Sequence, residues 1–271
     1  MGKTKIEWVK GDDGSLGATW NPVRGCSMAK GSEAGGCLNC YAARMAARGL
    51  PGLSSPTTGE PFAVMRDSGP RWTGKVELIE SALGLPLHWR KPRRIFVNSM
   101  SDLFHESLSA YDISRVFAVM RVANWHTYMI LTKRATRMFS LLRSAPGGLG
   151  QNQTFGSMYE LGVSVEDRKN KERIELLRET PAALRFLSLE PLLEDLGELD
   201  LTGIGWVIVG AESGPGARPM DENWVRSIRD QCVDTDVPFF YKQRLENGHK
   251  VSLPLLDGQQ WAQFPEAPDA K

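Results

Sequence analysis

From residue 93 onward the hydrophobic positions repeat one arrangement: a short apolar run, a polar cluster, then an amphipathic stretch. The runs are Arg94–Val97, 128–131, 161–163, 185–187, 206–209 and 238–241. They are short and rich in β-branched or aromatic residues, which suits buried parallel strands. Between them, Ile113, Val116, Phe117 and Met120 follow the i, i+3, i+4, i+7 spacing of a helix, with Ser109 and Asp112 as a capping pair. Trp224, Ile228 and Cys232 mark a second such face. An earlier strand is expected within 18–24. Strand starts recur every few tens of residues, as βαβ units require. The pattern predicts an α/β fold, a partial or complete (β/α) TIM-like barrel with a cysteine-bearing loop after its first strand. A doubly wound open sheet is the alternative. Segments 11–17, 49–74 and 144–156, rich in Gly, Pro, Ser or Thr, are expected as insertions. Residues 1–245 are expected to form one domain, followed by a C-terminal extension, 246–271, that frays.

Composition narrows the setting. Hydrophobic residues make up 41% and charged residues 24% of 271, enough for a real core. Lys and Arg number 33 against 32 Asp and Glu, so no general basic surface drives nucleic-acid binding, although a local basic groove is compatible. No apolar run is long enough to span a membrane, and the start lacks a secretory hydrophobic region. Four cysteines do not make a disulfide scaffold, which points to a reducing cytoplasm.

Three of those cysteines crowd together: Cys26, Cys37 and Cys40. The close spacing of Cys37 and Cys40 lets two thiolates turn toward one metal centre, and Gly31, Gly35 and Gly36 free the backbone to return Cys26 to them. Cys232 falls on the apolar face of its helix and reads as core. A structural zinc site wants a fourth ligand, and the next histidine along the chain is His88. An iron–sulfur cluster held by three thiolates leaves one iron open to a small molecule.

The cysteine loop preceded by Thr19-Trp-Asn-Pro22 occurs with Asn98-Ser-Met-Ser-Asp-Leu-Phe104, Leu131-Thr-Lys-Arg134, Gly162-Val-Ser-Val-Glu166, Leu187-Ser-Leu-Glu-Pro191, Val209-Gly-Ala-Glu-Ser-Gly214 and Lys242-Gln243. Together these motifs resemble a phage-associated three-cysteine family of largely unassigned function, itself similar to radical S-adenosylmethionine enzymes. The resemblance implies a 4Fe–4S cluster on Cys26, Cys37 and Cys40, S-adenosylmethionine at the open iron, and an electron donor as partner. Reductive cleavage would then yield a 5′-deoxyadenosyl radical.

Nearly every expected strand runs into polar residues at its C-terminal end, and in a barrel those ends share one face where active sites form. On the radical reading, Tyr41, Asn98, Ser99, Asp102, Ser164 and Glu166 are candidates for holding S-adenosylmethionine. Arg134, Arg218, Lys242 and Gln243 would meet substrate, Arg through bidentate contacts and Lys as a point charge. Lys133, Glu190 and Glu212 are the catalytic candidates. The substrate expected is a small molecule, nucleobase or nucleotide, with nucleic acid as a further partner class and no membrane. His105 reads as acid, base or cap; His88 and His126 as scaffold; Trp8, Trp20, Trp72, Trp89 and Trp206 as core. The rival readings are a zinc-binding nucleic-acid-associated protein, and a barrel hydrolase or lyase using Glu166, Glu190 and Glu212 around a structural metal.

Overall fold

The computed structural model describes residues 4–10, 14–49, 52–143 and 158–266. An eight-stranded sheet organises it: β1 (Ala18–Trp20), β2 (Arg94–Val97), β3 (Thr127–Thr132), β4 (Tyr159–Ser164), β5 (Leu184–Leu189), β6 (Trp206–Gly210), β7 (Phe239–Glu246) and β8 (His249–Ser252). Each strand lies beside the next in sequence. The first seven pair in parallel, and β8 turns back antiparallel on β7. A doubly wound sheet would reverse its strand order at a switch point. Here the order never reverses, so the sheet is singly wound and curls as a half-barrel, with β1 and β8 as its two edges.

Helices α1 (Tyr41–Ala46), α2 (Ala110–Val122), α3 (Ala135–Arg143), α4 (Glu172–Arg178) and α5 (Glu222–Asp234) fill most crossovers; 190–205 joins β5 to β6 without one. The expected caps hold. Ser109 Oγ accepts from Asp112 N at 3.0 Å, and α2 buries Ile113, Val116, Phe117 and Met120. Helix α5 buries Val225, Ile228 and Cys232, while Trp224 is half-buried at its edge.

Strand residues alternate between two apolar layers, as a period of two demands. Ile95, Val97, Tyr128, Ile130, Leu187, Leu189, Val207, Val209, Phe239 and Tyr241 face the helices. Phe96, Met129, Phe186, Trp206, Ile208 and Phe240 face the inside of the half-barrel. Two positions further along the inner face the residues turn polar: Asn98, Ser188 and Lys242 follow Phe96, Phe186 and Phe240. The inside is therefore an aromatic bowl with a polar rim.

The open flank of the bowl is covered from both ends of the chain. Trp8 packs on Phe96 at 4.9 Å and on Trp206 at 6.4 Å between ring centres. Phe264 packs on Trp206 at 5.4 Å and on Phe240 at 5.3 Å. This corrects the expectation of a frayed tail as far as residue 266, because β8 joins the sheet and Gln263 caps its lower edge through Phe239 N at 2.8 Å. Of the expected insertions, 144–156 lies outside the described residues, as do parts of 11–17 and 49–74. The last contains a hairpin, Ala63–Arg66 against Gly69–Trp72, rather than a plain loop.

Candidate active site

Above the aromatic bowl, at the C-terminal ends of the strands, opens a cavity of about 550 Å³. Cys26, Cys37 and Cys40 all line it, together with Tyr41, Asn98, Ser99, Asp102, Lys133 and Arg134. So do Ser164, Glu190, Glu212, Lys242 and Gln243. Cys232 lies away in the helix-facing core. Of the residues expected at the site, Glu166 and Arg218 alone are outside the lining, and both act on the cysteine loop from behind it.

The loop reaches the cavity because Gly25 permits it. Its φ is +84°, and a Cβ there would stand 2.0 Å from the Lys75 carbonyl oxygen. Glu166, with no exposed surface, accepts from Gly36 N at 3.3 Å, Lys133 Nζ at 3.3 Å and Arg173 Nη1 at 3.0 Å. Burial raises its carboxyl, but Lys133 and Arg173 outweigh burial and hold it below the usual range. A side chain at Gly36 would meet Lys133 Nζ at 2.8 Å. Arg218 spans the other flank, donating to the Ala34 and Gly35 carbonyls at 2.7 and 2.8 Å while its Nε bonds Glu212 at 2.9 Å. Asn39, beside Cys40, also donates to Glu212 at 2.9 Å. Glu212 is thus consumed in holding the loop, as is Glu166.

Asp102 is equally occupied. It accepts from Phe104 N, Thr132 Oγ1, Lys133 N and Arg134 Nη1 at 2.9, 2.7, 3.2 and 3.1 Å. Its capacity is spent on positioning the loop after β3. The arginine it steers lies 3.9 Å from Cys26 Sγ and donates to Ser27 O. His105 also serves this corner. Ser107 N donates to its Nδ1 at 3.1 Å, so Nε2 carries the hydrogen and donates to Ser27 Oγ at 2.7 Å.

Asn98 is buried with φ +60°, and its Oδ1 accepts from Val23 N at 3.3 Å. Because Val23 N can only donate, the amide orientation is fixed and Nδ2 is the group left over. That Nδ2 has no hydrogen-bond partner among the described residues, and neither has Nε1 of Trp8, another cavity residue. Both are donors. Asn98 therefore offers a donor, which suits an acceptor atom on a ligand. Glu190 and Lys242 form the one cavity-lining carboxylate–lysine pair whose members hold only each other, at 2.6 and 2.8 Å among the described residues. Gln243 is tied to the Ala211 carbonyl at 2.6 Å, beside a register shift between β6 and β7.

Burial pushes the Cys26 thiol up to about 12 against the pull of Arg134, and burial also raises Cys37. Cys37 and Cys40 each add to the Cys26 shift, so the three thiols feel one another. Among the described residues no group of three His, Cys, Asp or Glu is arranged to hold a single metal ion. No helix among them is long and apolar enough to cross a membrane. Sequence reasoning missed Trp8 as a cavity donor, Gly25 and the Ser27–His105 pair, since each acquires its role from a distant partner.

A family model described as "Protein of unknown function (DUF5131)" matches residues 3–265, and the chain belongs to that family. No curated protein and no solved structure matches it.

Proposed function

For this member of the family we propose a radical S-adenosylmethionine enzyme, with Cys26, Cys37 and Cys40 holding a 4Fe–4S cluster and a nucleobase or nucleotide as substrate. One observation carries the reading: three thiols from the loop after the first strand of a singly wound half-barrel line the cavity at its strand ends. The donor set fits such a cluster. Its thiolates bind separate irons, so they need not stand as close together as the ligands of one ion. When bound and reduced, the cluster and S-adenosylmethionine together supply a 5′-deoxyadenosyl radical and methionine.

The chain's own residues do the remaining work. Arg134 sets a positive charge beside the Cys26 sulfur, while Arg218 and Glu166 pin the loop from either side. Asn98 Nδ2 and Trp8 Nε1 offer hydrogens to acceptor atoms of the ligands. Tyr41, held by its hydroxyl to Ser99 O at 2.6 Å, presents a ring at the rim, suited to an adenine, and Ser164 offers a hydroxyl for ribose. Lys242 and Glu190 stand ready to pass a proton to or from a substrate, a role that fits them better than Glu212 or Lys133.

Protein reconstituted anaerobically with iron and sulfide should turn brown and, with dithionite, convert S-adenosylmethionine to 5′-deoxyadenosine and methionine. Cys26→Ala, Cys37→Ala and Cys40→Ala should each reduce turnover to background, and Cys232→Ala should leave it. A fully loaded, reduced protein that binds no S-adenosylmethionine overturns the reading. Colourless protein carrying zinc would favour the zinc-binding rival.

A further inference from the structure

Residues 4–9 form a strap that belongs to none of the βα units. On one side it is bonded to the residue before β1: Thr4 N donates to Gly17 O at 2.9 Å, and Gly17 N to Val9 O at 3.0 Å. The approach is close, since a Cβ on Gly17 would stand 2.4 Å from Val9 O. On the other side Glu7 Oε1 accepts from Lys250 Nζ at 3.2 Å and from Ser252 Oγ at 2.7 Å, both on β8. Because β1 and β8 are the edges of the sheet, the strap bridges them and closes the half-barrel into a ring. Its residues Thr4, Lys5, Ile6, Glu7 and Trp8 all line the cavity. Lys5, Tyr41 and Lys250 are the exposed members of that lining, so the strap and the strand it grips border the mouth.

Trp8 is only 3% exposed. A buried indole ordinarily gives its N–H to a partner. Trp20, Trp125 and Trp206 do so, donating to Ala82 O, Trp89 O and Gln263 O at 2.8, 2.7 and 2.9 Å. Trp8 Nε1 is buried and has no such partner among the described residues. Trp261 Nε1 shares that state, but Trp261 is not part of the cavity lining. Packing does not explain an indole at position 8, because a phenyl ring would also meet Phe96 and Trp206 edge to face. A bare buried N–H destabilises the free protein, and an acceptor on a ligand relieves it.

A buried nitrogen among flat side chains is reached by an atom that projects from a ring's edge. An exocyclic carbonyl oxygen projects; a ring nitrogen does not. We propose that Trp8 is a specificity-determining residue, its Nε1–H donating to an exocyclic carbonyl oxygen of the substrate ring, so that the strap selects an oxo-bearing base such as uracil or guanine. Adenine carries an amine in place of that oxygen, so Trp8 serves a ring other than that of S-adenosylmethionine. The proposal deepens, and rests on, the reading of the cavity as a site for nucleobase chemistry.

Calorimetric titration of the full, reconstituted but unreduced protein with uridine, guanosine and adenosine reads the choice without turnover. S-adenosylmethionine is kept present to fill the cofactor site. Uridine or guanosine should bind about tenfold or more tightly than adenosine. W8F should lower that affinity to the level of adenosine and leave adenosine unchanged. It should also unfold near the parent temperature, since the N–H removed has no partner to lose. W206F, which cuts the bond to Gln263 O, should unfold at a lower temperature. The proposal is overturned if adenosine binds as tightly as both oxo nucleosides, if neither of them binds, or if folded W8F keeps the preference. The comparison among nucleosides uses the parent alone and stands even if W8F does not fold. Protein that cleaves S-adenosylmethionine yet binds neither uridine nor guanosine loses this proposal alone. Protein that binds uridine through Trp8 yet cleaves nothing keeps it and loses the radical reading.

Discussion

Asp102 accepts hydrogen bonds from four groups, one at the end of β3 and two on the turn after it, and reaches Arg134 at 3.1 Å. Removing it strands a buried guanidinium that then has, among the described residues, only Glu106, on the solvent side, as a carboxylate partner. Asp102→Ala should cost about 3–5 kcal/mol of unfolding free energy in denaturant titration. Asn at this position should cost less, since it keeps an acceptor for Thr132 and the Phe104 amide. A second residue sets a pH dependence. His126 is buried between Trp89, Trp125 and Tyr128, with Nε2 at 3.1 Å from Pro86 O. Burial lowers its pKa, Arg93 adds to the effect, and the Pro86 carbonyl only partly opposes it. The unfolded chain therefore takes up the proton first as pH falls. Its contribution is full above the unfolded value of 6.5 and is lost as pH drops toward the folded one. Unfolding curves between pH 7.5 and 5 (roughly, spanning the ordinary histidine range) should lose less stability in H126Q than in the parent. Sequence spacing located Asn98, Asp102 and Glu212 correctly at strand ends. It could not show that their oxygens were already taken, because the partners Val23, Arg134 and Arg218 are chosen by tertiary approach.

At the scale of elements, β4 and β5 meet at a point with no spare room. A Cβ on Gly162 would stand 2.4 Å from two carbons of the Phe186 ring, which is itself fully buried against Trp8 and Trp206. Gly162→Ala should destabilise by about 1–3 kcal/mol. Phe186→Leu in the same chain should recover part of that, a non-additivity readable in a double-mutant cycle. The strands were legible because their apolar runs are continuous and short, and α2 because cap and spacing agree. The hairpin 63–72 was not, since Gly69 and Pro70 sit inside it and read as loop; yet both lie on its strand of four residues. The same dilution hid β8, whose residues His249, Lys250 and Ser252 are polar and exposed and whose place in the sheet comes from β7. Glu166 was expected in the cavity because it lies just beyond the apolar run of β4. The strand ends at Ser164, and the chain then turns its carboxylate beneath Gly36 and Lys133.

On the scale of the whole molecule, the half-barrel is finished by segments that do not belong to its βα units. Cutting the chain after Ser252 would remove Phe264 and Gln263 and uncover Trp206 and Phe240. Each large side chain returned to water costs about 1.5–3 kcal/mol. The truncated protein should bind a hydrophobic dye and unfold at clearly lower denaturant, and unchanged stability would show that the cover contributes nothing. Trp206 is held from both directions, by Trp8 near the beginning and Phe264 near the end of the described chain. On the ribosome these grips form in a set order. Trp8 emerges first and must wait for β2, β5 and β6 before it has a seat, and Phe264 follows only after all seven parallel strands are made. During that interval the aromatic bowl faces water, a state open to wrong partners and to chaperones. Closure of its floor therefore awaits Phe264, and a ligand that depends on that floor can bind stably only to a chain whose synthesis has passed residue 264.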